Sequence, residues 1–338
     1  MNTMTDIPNL GSSERRPDSQ YEAEFDPEMG TLWGYFNPAG APRFNLALLA
    51  DIRAHDSALQ SNNGHVLHEG AMRKADYYVA ASRTPGVYNL GGDLSLFLLL
   101  IRTRNRDALV HYARLCVDNI YPRMRNYFCP TLTTISLVQG DALGGGFETA
   151  LSSDVLIAEE SAVLGLPEVL FNLFPGMGAY SLLARRIGMR AAEDLILSGR
   201  MLPASKLHEM GIVDVLAPDG EGERTTREWI ARTQRRRNGH QAVFQARKCV
   251  HPIEREELDR VVEVWVDAAL RLEDKDLKMM SRIVRSQERR MFDAASDGIR
   301  GRTIGAPQSR PDTFEGDAPI GRAHEDSVAS LNPGANSA

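Results

Sequence analysis

The chain has 338 residues, 43% of them hydrophobic and 25% charged, the balance of an ordinary soluble globular protein of about two domains. Thirty-nine Lys and Arg against 45 Asp and Glu leave a formal charge of -6, which speaks against a nucleic-acid binder. The most apolar stretch, Leu94 to Ile101, is far below the roughly 20 residues that span a bilayer, and the start of the chain lacks an apolar segment after a basic one. No membrane insertion and no secretory leader are expected, and the expected location is the cytoplasm.

Residues 1–30 carry seven acidic and two basic side chains, and 294–338 is rich in Gly, Pro, Ser and Asp. Both read as disordered tails that hold the net negative charge. Between them TLWGYF, DYYVAAS and VYNLGG read as strands and Arg43 to Ala58 as a helix. A long, interrupted helical region from about Ser95 to Tyr127 leads to a strand at Thr133 to Val138, a glycine-rich turn, and short strands at Val155 to Ala158 and Ala162 to Leu166. After Pro175 the segments SLLARRIG, RAAEDLILSG and SKLHEMG read as helices closed by Gly, and IVDVL as a last strand. From Arg224 to Arg290 the pattern is amphipathic helix, with 17 Lys and Arg against 11 Asp and Glu. The expected organisation is an α/β core over 31–220 and a helical C-terminal subdomain over 221–293, without an internal sequence repeat. Cys116, Cys129 and Cys249 are odd in number and widely spaced, so they are expected to be reduced, structural thiols.

Gly144, Gly145 and Gly146 stand between a strand and the helical segment FETALSS. Glycines let a ligand approach the backbone, and free N–H groups at a helix start attract negative charge. The dinucleotide pattern fails because Thr149 replaces its last Gly, and no P-loop Lys follows. An oxyanion is therefore the better candidate ligand, with a glycine turn needed only for packing as the alternative. A second site, Asn89-Leu90-Gly91-Gly92-Asp93, also joins a strand to a helix; it could supply a second N–H donor or be a plain turn capped by Asp93. Glu148 and Glu168 sit among apolar neighbours, and paired carboxylates in a dry pocket acquire separated pKa values suited to acid–base work. The alternatives are a helix-start Glu and a Glu paired to Arg185 or Arg186.

VQGDALGGGFETALSSDVLIAEESAVLGLPEVLFNLFPGMGAYSLLARRIG resembles the signature region of the crotonase (enoyl-CoA hydratase/isomerase) superfamily, and YNLGGDL resembles its first oxyanion segment. The resemblance covers about residues 31–293. Within the superfamily, GGGFETALS and GLPEVLFNLFPGMGAYS are most similar to the diffusible signal factor synthases, which make cis-2-unsaturated fatty acids for quorum sensing. By motif, the resemblance implies oxyanion amides at Gly92 and Gly145 and catalytic carboxylates at Glu148 and Glu168. It also implies a spiral of ββα turns, homo-oligomers (trimers or hexamers), and no metal or redox cofactor. A synthase would dehydrate a 3-hydroxyacyl group on acyl carrier protein and hydrolyse the thioester to a free acid. Glu168 would move the proton at C2 and Glu148 would position the 3-hydroxyl or a water, with the reverse assignment as the alternative.

An ordinary enoyl-CoA hydratase acting on a CoA thioester is the nearest competing reading, and a crotonase-like interaction protein that binds a sensor histidine kinase is one of another class. The basic excess, including Arg235-Arg236-Arg237, fits an acidic carrier protein or a solvated helix face. His65 and His68 lack the carboxylate or Cys partners of a metal site. Met177, Phe171, Leu143 and Tyr180 fit an acyl tunnel or plain core.

Overall fold

The runs TLWGYF, YYVAAS, TTISLV and VLIAE are almost continuously apolar, as strands of a parallel sheet covered on both faces must be. They form β2 (Thr31–Phe36), β5 (Tyr77–Ser82), β7 (Thr133–Val138) and β9 (Val155–Glu159) of the computed structural model, which describes residues 18–38 and 40–300. With β1 (Tyr21–Asp26) and β12 (Val215–Ala217) they make a six-stranded sheet in the order β1-β2-β5-β7-β9-β12, parallel except for β1. A second sheet has the order β11-β10-β8-β6, built from β6 (Gly86–Asn89), β8 (Gly140–Leu143), β10 (Val163–Gly165) and the antiparallel β11 (Met201–Pro203).

The chain visits both sheets on each turn: β5 then β6, β7 then β8, β9 then β10. The first two pairs are each followed by a helix, α2 (Leu94–Arg102) and α4 (Gly145–Leu151). This is the ββα spiral of a crotonase fold. Helix α1 (Leu46–Ser61), capped by Asn45, lies between β2 and the small hairpin β3 (His65–His68) and β4 (Ala71–Lys74). The long helical region resolves into α2 and α3 (Arg106–Met124), interrupted at Thr103 to Asn105. After the spiral come α5 (Ala179–Ile187), α6 (Met189–Ser198), α7 (Ala204–Glu209), α8 (Gly222–Gln234), α9 (Arg237–Val250), α10 (Arg255–Ala269) and α11 (Asp274–Arg300). Trp229 and Ile230 of α8 cover the large sheet, packed with Trp33, Tyr77 and Ile135.

One expected boundary is corrected. Residues 21–26, assigned to a disordered N-terminal tail over 1–30, form β1, paired residue for residue with β2. The segment YEAEFD has a period of two that its charge count conceals. Tyr21 and Phe25 are buried, whereas Glu22 and Glu24 pair with Arg83 and Asp26 with Arg227. At the other end the compact unit closes at Asp293 and α11 continues to Arg300. Residues 1–17 and the rest of the expected tail 294–338 lie outside the described residues.

Strand β1 also completes a buried polar network. The Tyr21 hydroxyl meets that of Tyr78, which donates to Asp56 Oδ1 at 2.9 Å, and Asp56 Oδ1 is 3.0 Å from His55 Nδ1. Cutting the chain after Asp26 therefore removes two buried aromatic side chains, costing roughly 3–6 kcal/mol, and takes one hydrogen-bond partner from the buried Tyr78 hydroxyl. Thermal unfolding followed by circular dichroism should show a markedly lower midpoint for a chain starting at Pro27 than for one starting at Asp18.

Candidate active site

In the second sheet the three parallel strands stop level with one another. Gly165 pairs with Leu143, Leu164 with Ala142, and Asn89 with Ala142. Gly92 follows β6 by three residues, Gly145 follows β8 by two, and Glu168 follows β10 by three. The ends of parallel strands are where the chain leaves the sheet and polar backbone groups become available. All three residues, with Glu148 from the first turn of α4, line one cavity of about 70 Å³.

Glycine is required where these segments meet. A Cβ on Gly146 would lie 2.1 Å from the carbonyl oxygen of Asn89, and one on Gly91 2.7 Å from that of Leu143. Gly91 and Gly144 also have φ of 91° and 51°, the left-handed region that favours glycine. A Cβ on Gly91 would stand 3.0 Å from Gly145 N, and one on Gly145 3.6 Å from Gly92 N, so the two amides are neighbours. Gly145 opens α4, so its N–H has no acceptor within the helix. The turn reading of Asn89–Asp93 is accurate as far as it goes: Asp93 caps α2 by accepting from Ser95 N and Leu96 N.

Glu148 is fully enclosed, and its Oε1 accepts from Met177 N at 2.8 Å and Ala179 N at 2.9 Å. Burial pushes its carboxyl up to about 7, and the backbone donors at Ala179, Met177 and Gly178 hold it from going higher. Glu168 is pushed up to about 8 by burial and by the charge of Glu148, and its Oε2 is buried without a hydrogen-bond partner. Gly144 has no side chain where Glu168 sits; a Cβ there would be 2.5 Å from Glu168 Oε1. The carboxyls therefore titrate as a coupled pair near neutrality, Glu148 favouring the anion and Glu168 the acid. Neither is neutralised by the arginines considered earlier. Arg185 pairs with Glu257 at 2.7 Å and Arg186 with Asp214 at 3.2 Å.

Of the four apolar residues considered for a tunnel, Met177 and Phe171 line the cavity. Leu143 ends β8, and Tyr180 is half-exposed with its hydroxyl on Glu193. The remaining walls come from residues that sequence reasoning left in the background: Phe97 of α2, Tyr112 and Cys116 of α3, Phe174, Trp265 of α10, and Ile283 and Gln287 of α11. Trp265 packs on Phe97 with ring centroids 5.0 Å apart and fills the space where Gly176 would carry a Cβ. Cys116 and Cys129 are buried free thiols, whereas Cys249 is exposed, against the expectation of structural thiols throughout. His65 Nδ1 bonds to backbone carbonyls of Asn62 and Asn63, and the described residues hold no cluster of metal-ligating side chains. No helix among them is long and apolar enough to cross a membrane.

Residues 85–291 match the enoyl-CoA hydratase/isomerase family. The chain belongs to that family. A probable enoyl-CoA hydratase of Rhizobium meliloti is 46% identical over 86 residues, 25% of this chain and 34% of the relative. The peroxisomal fatty acid beta-oxidation multifunctional protein AIM1 of Arabidopsis thaliana is 30% identical over 144 residues, 43% of this chain and 19% of the relative. The matched stretches thus span about a third or less of these relatives. Among solved structures, human mitochondrial delta3-delta2-enoyl-CoA isomerase superposes with a TM-score of 0.65 at 19% identity, covering 80% of this chain and 99% of that one. Pseudomonas aeruginosa DspI does so with a TM-score of 0.58 at 21% identity, covering 75% and 98%. At such identities the likeness is one of fold.

The raised carboxyl pKa values carry a stability signature. A group that titrates at about 8 in the fold, against an ordinary 4.5, favours the folded state at low pH and opposes it progressively as pH rises through that window. Glu168→Gln removes this penalty. Melting curves from about pH 5 to pH 9 should show the wild type losing stability relative to the variant across that range.

Proposed function

We propose that this member of the family acts on acyl thioesters, interconverting 2-enoyl and 3-hydroxyacyl groups, with Gly92 and Gly145 as oxyanion donors and Glu148 and Glu168 as the acid–base pair. The observation that carries the reading is the meeting, on one small cavity, of two adjacent glycine amides and two buried carboxyls with raised pKa values. The thioester carbonyl oxygen accepts the two N–H bonds, and negative charge grows on that oxygen as an enolate develops. In the dehydrating direction one carboxyl takes the C2 proton and the 3-hydroxyl leaves as water with a proton supplied at the site; hydration is the reverse.

Glu168, with one unpartnered oxygen, suits the transfer at C2, and Glu148, clamped by two amides, suits positioning of the hydroxyl or water. The substrate's carrier is taken as CoA, as the names of the relatives suggest, with acyl carrier protein as the second candidate. The signal-synthase reading shares the same first step and differs in releasing a free cis-2-enoic acid. It rests on the likeness of GGGFETALS and GLPEVLFNLFPGMGAYS alone, whereas the family match and the names of the relatives support the hydratase reading. An oxyanion hole that holds an enolate can also hold the tetrahedral oxyanion of thioester hydrolysis, which keeps both products within the chemistry of one pocket.

Purified protein given medium-chain 3-hydroxyacyl thioesters of CoA and of acyl carrier protein should form the 2-enoyl thioester reversibly. Chromatography against cis and trans standards reads the product; a free cis acid would establish the synthase reading, and no reaction with either carrier would overturn both. Glu148→Gln and Glu168→Gln should each fold and lose at least about a hundredfold in kcat, the scale of general acid–base catalysis. Near-normal turnover in either variant would make that carboxyl structural.

A further inference from the structure

Tyr112 is buried on α3, lines the cavity, and takes no part in the scheme above. Its hydroxyl donates to the carbonyl oxygen of Phe44 and accepts from Asp93 N at 3.1 Å. Phe44 in turn forms an isolated parallel bridge with Gly92, and Phe44 N donates to Gly91 O at 2.8 Å. The hydroxyl therefore ties together the two strands of backbone that flank Gly92. It also sits close to that residue, 3.7 Å from where a Cβ on Gly92 would be. The phenol ring is held edge to face against Phe97 at 5.1 Å, and Phe97 lies under Gly92, 2.8 Å from the same position.

We infer that Tyr112 is a positioning residue: its hydroxyl, clamped between Phe44 O and Asp93 N, sets the direction of the Gly92 N–H toward the thioester carbonyl. The inference rests on the proposed use of that amide as an oxyanion donor. The Gly91–Gly92 segment needs such a restraint because glycine backbone is the least self-ordered, and Gly91 is already at a positive φ. On one side the segment is tied down by Asn89 Oδ1, which accepts from Gly91 N at 2.8 Å. On the other it runs into Asp93, whose side chain caps α2 and lies 3.5 Å from Arg43 Nε. The Gly92 N–H lies in the Gly91–Gly92 peptide, whose carbonyl accepts from Phe44 N at 2.8 Å. The Tyr112 hydroxyl acts on both sides of Gly92, holding Phe44 through its carbonyl and the following peptide through Asp93 N. A donor misdirected by a fraction of an ångström loses much of its value at an oxyanion, because stabilisation there depends on preorganised dipoles aimed at the developing charge.

The test is Tyr112→Phe, which keeps the ring against Phe97 and deletes only the hydroxyl. Turnover of a 3-hydroxyacyl-CoA should fall about tenfold or more in kcat with KM changed less than about threefold, since an oxyanion donor acts on the transition state more than on ground-state binding. The pH profile should keep its shape, because both carboxyls are untouched. The readout that a merely structural hydroxyl would not move is the infrared carbonyl stretch of a bound, unreactive thioester: its shift to lower frequency on binding should be smaller in the variant. An unchanged stretch with kcat within about twofold of wild type would overturn the assignment. So would a variant that fails to fold even when cooled, since the hydroxyl would then be structural. Wild-type protein that turns over no acyl thioester would instead overturn the proposed function itself, which separates the two failures.

Discussion

Leu143 and Gly165 face each other at the ends of two short parallel strands, with Asn89 alongside, and Gly144 N closes the arrangement by donating to Gly165 O at 2.9 Å. That level finish of β6, β8 and β10 is what the rest of the site depends on. It places two glycine amides and a glutamate from three separate turns of the spiral within reach of one cavity. The approach is closer than any side chain tolerates: the 2.1 Å between a would-be Cβ on Gly146 and Asn89 O leaves only glycine there. Packing of backbone on backbone, with no side chain between, is thus the constraint that both builds and exposes the amides.

Burying two carboxyls beside that wall is costly, and the protein offsets the cost unequally. Glu148 receives two backbone N–H bonds from the segment Met177 to Ala179, whereas Glu168 Oε2 receives none. An unsatisfied buried oxygen opposes folding, and it persists here in a cavity lined mostly by apolar side chains. The inequality separates the two groups chemically although both are glutamates in one pocket. Environment, and not residue type, distinguishes an anion from an acid.

The spiral supplies the floor of the cavity and the C-terminal helices its cover. Trp265 of α10 lies over Gly176 and against Phe97, and Ile283 and Gln287 of α11 complete the wall. The same scaffold is shared with solved enoyl-CoA hydratases and isomerases at identities near one in five. A fold held in common at that distance fixes where a site stands and leaves the reaction to the side chains lining it. That cover is made mostly of large apolar side chains, with Gln287 as a polar member.

Much of the large sheet was legible from the chain alone, because a strand covered on both faces has to be a continuous apolar run, and TLWGYF, TTISLV and VLIAE are such runs. Helices ended by Gly were legible for an equally local reason: only Gly enters a left-handed C-terminal turn without strain, as Gly199 does. The two glycine segments and both glutamates, the groups proposed to react, stand in short segments that are readable without the fold. Strand β1 was missed because YEAEFD looks acidic until alternate residues are seen to face Arg83 and Arg227. Strand β8 was missed because GDAL has no pattern of its own and becomes a strand only between β6 and β10. Tyr112, Phe97 and Trp265 belong to helices whose apolar faces look alike in sequence. Local stereochemistry and short motifs thus determined many of the elements and pointed to the groups proposed to react; only the tertiary structure decided which aromatic faces close over them, because that depends on contacts between residues far apart in the chain.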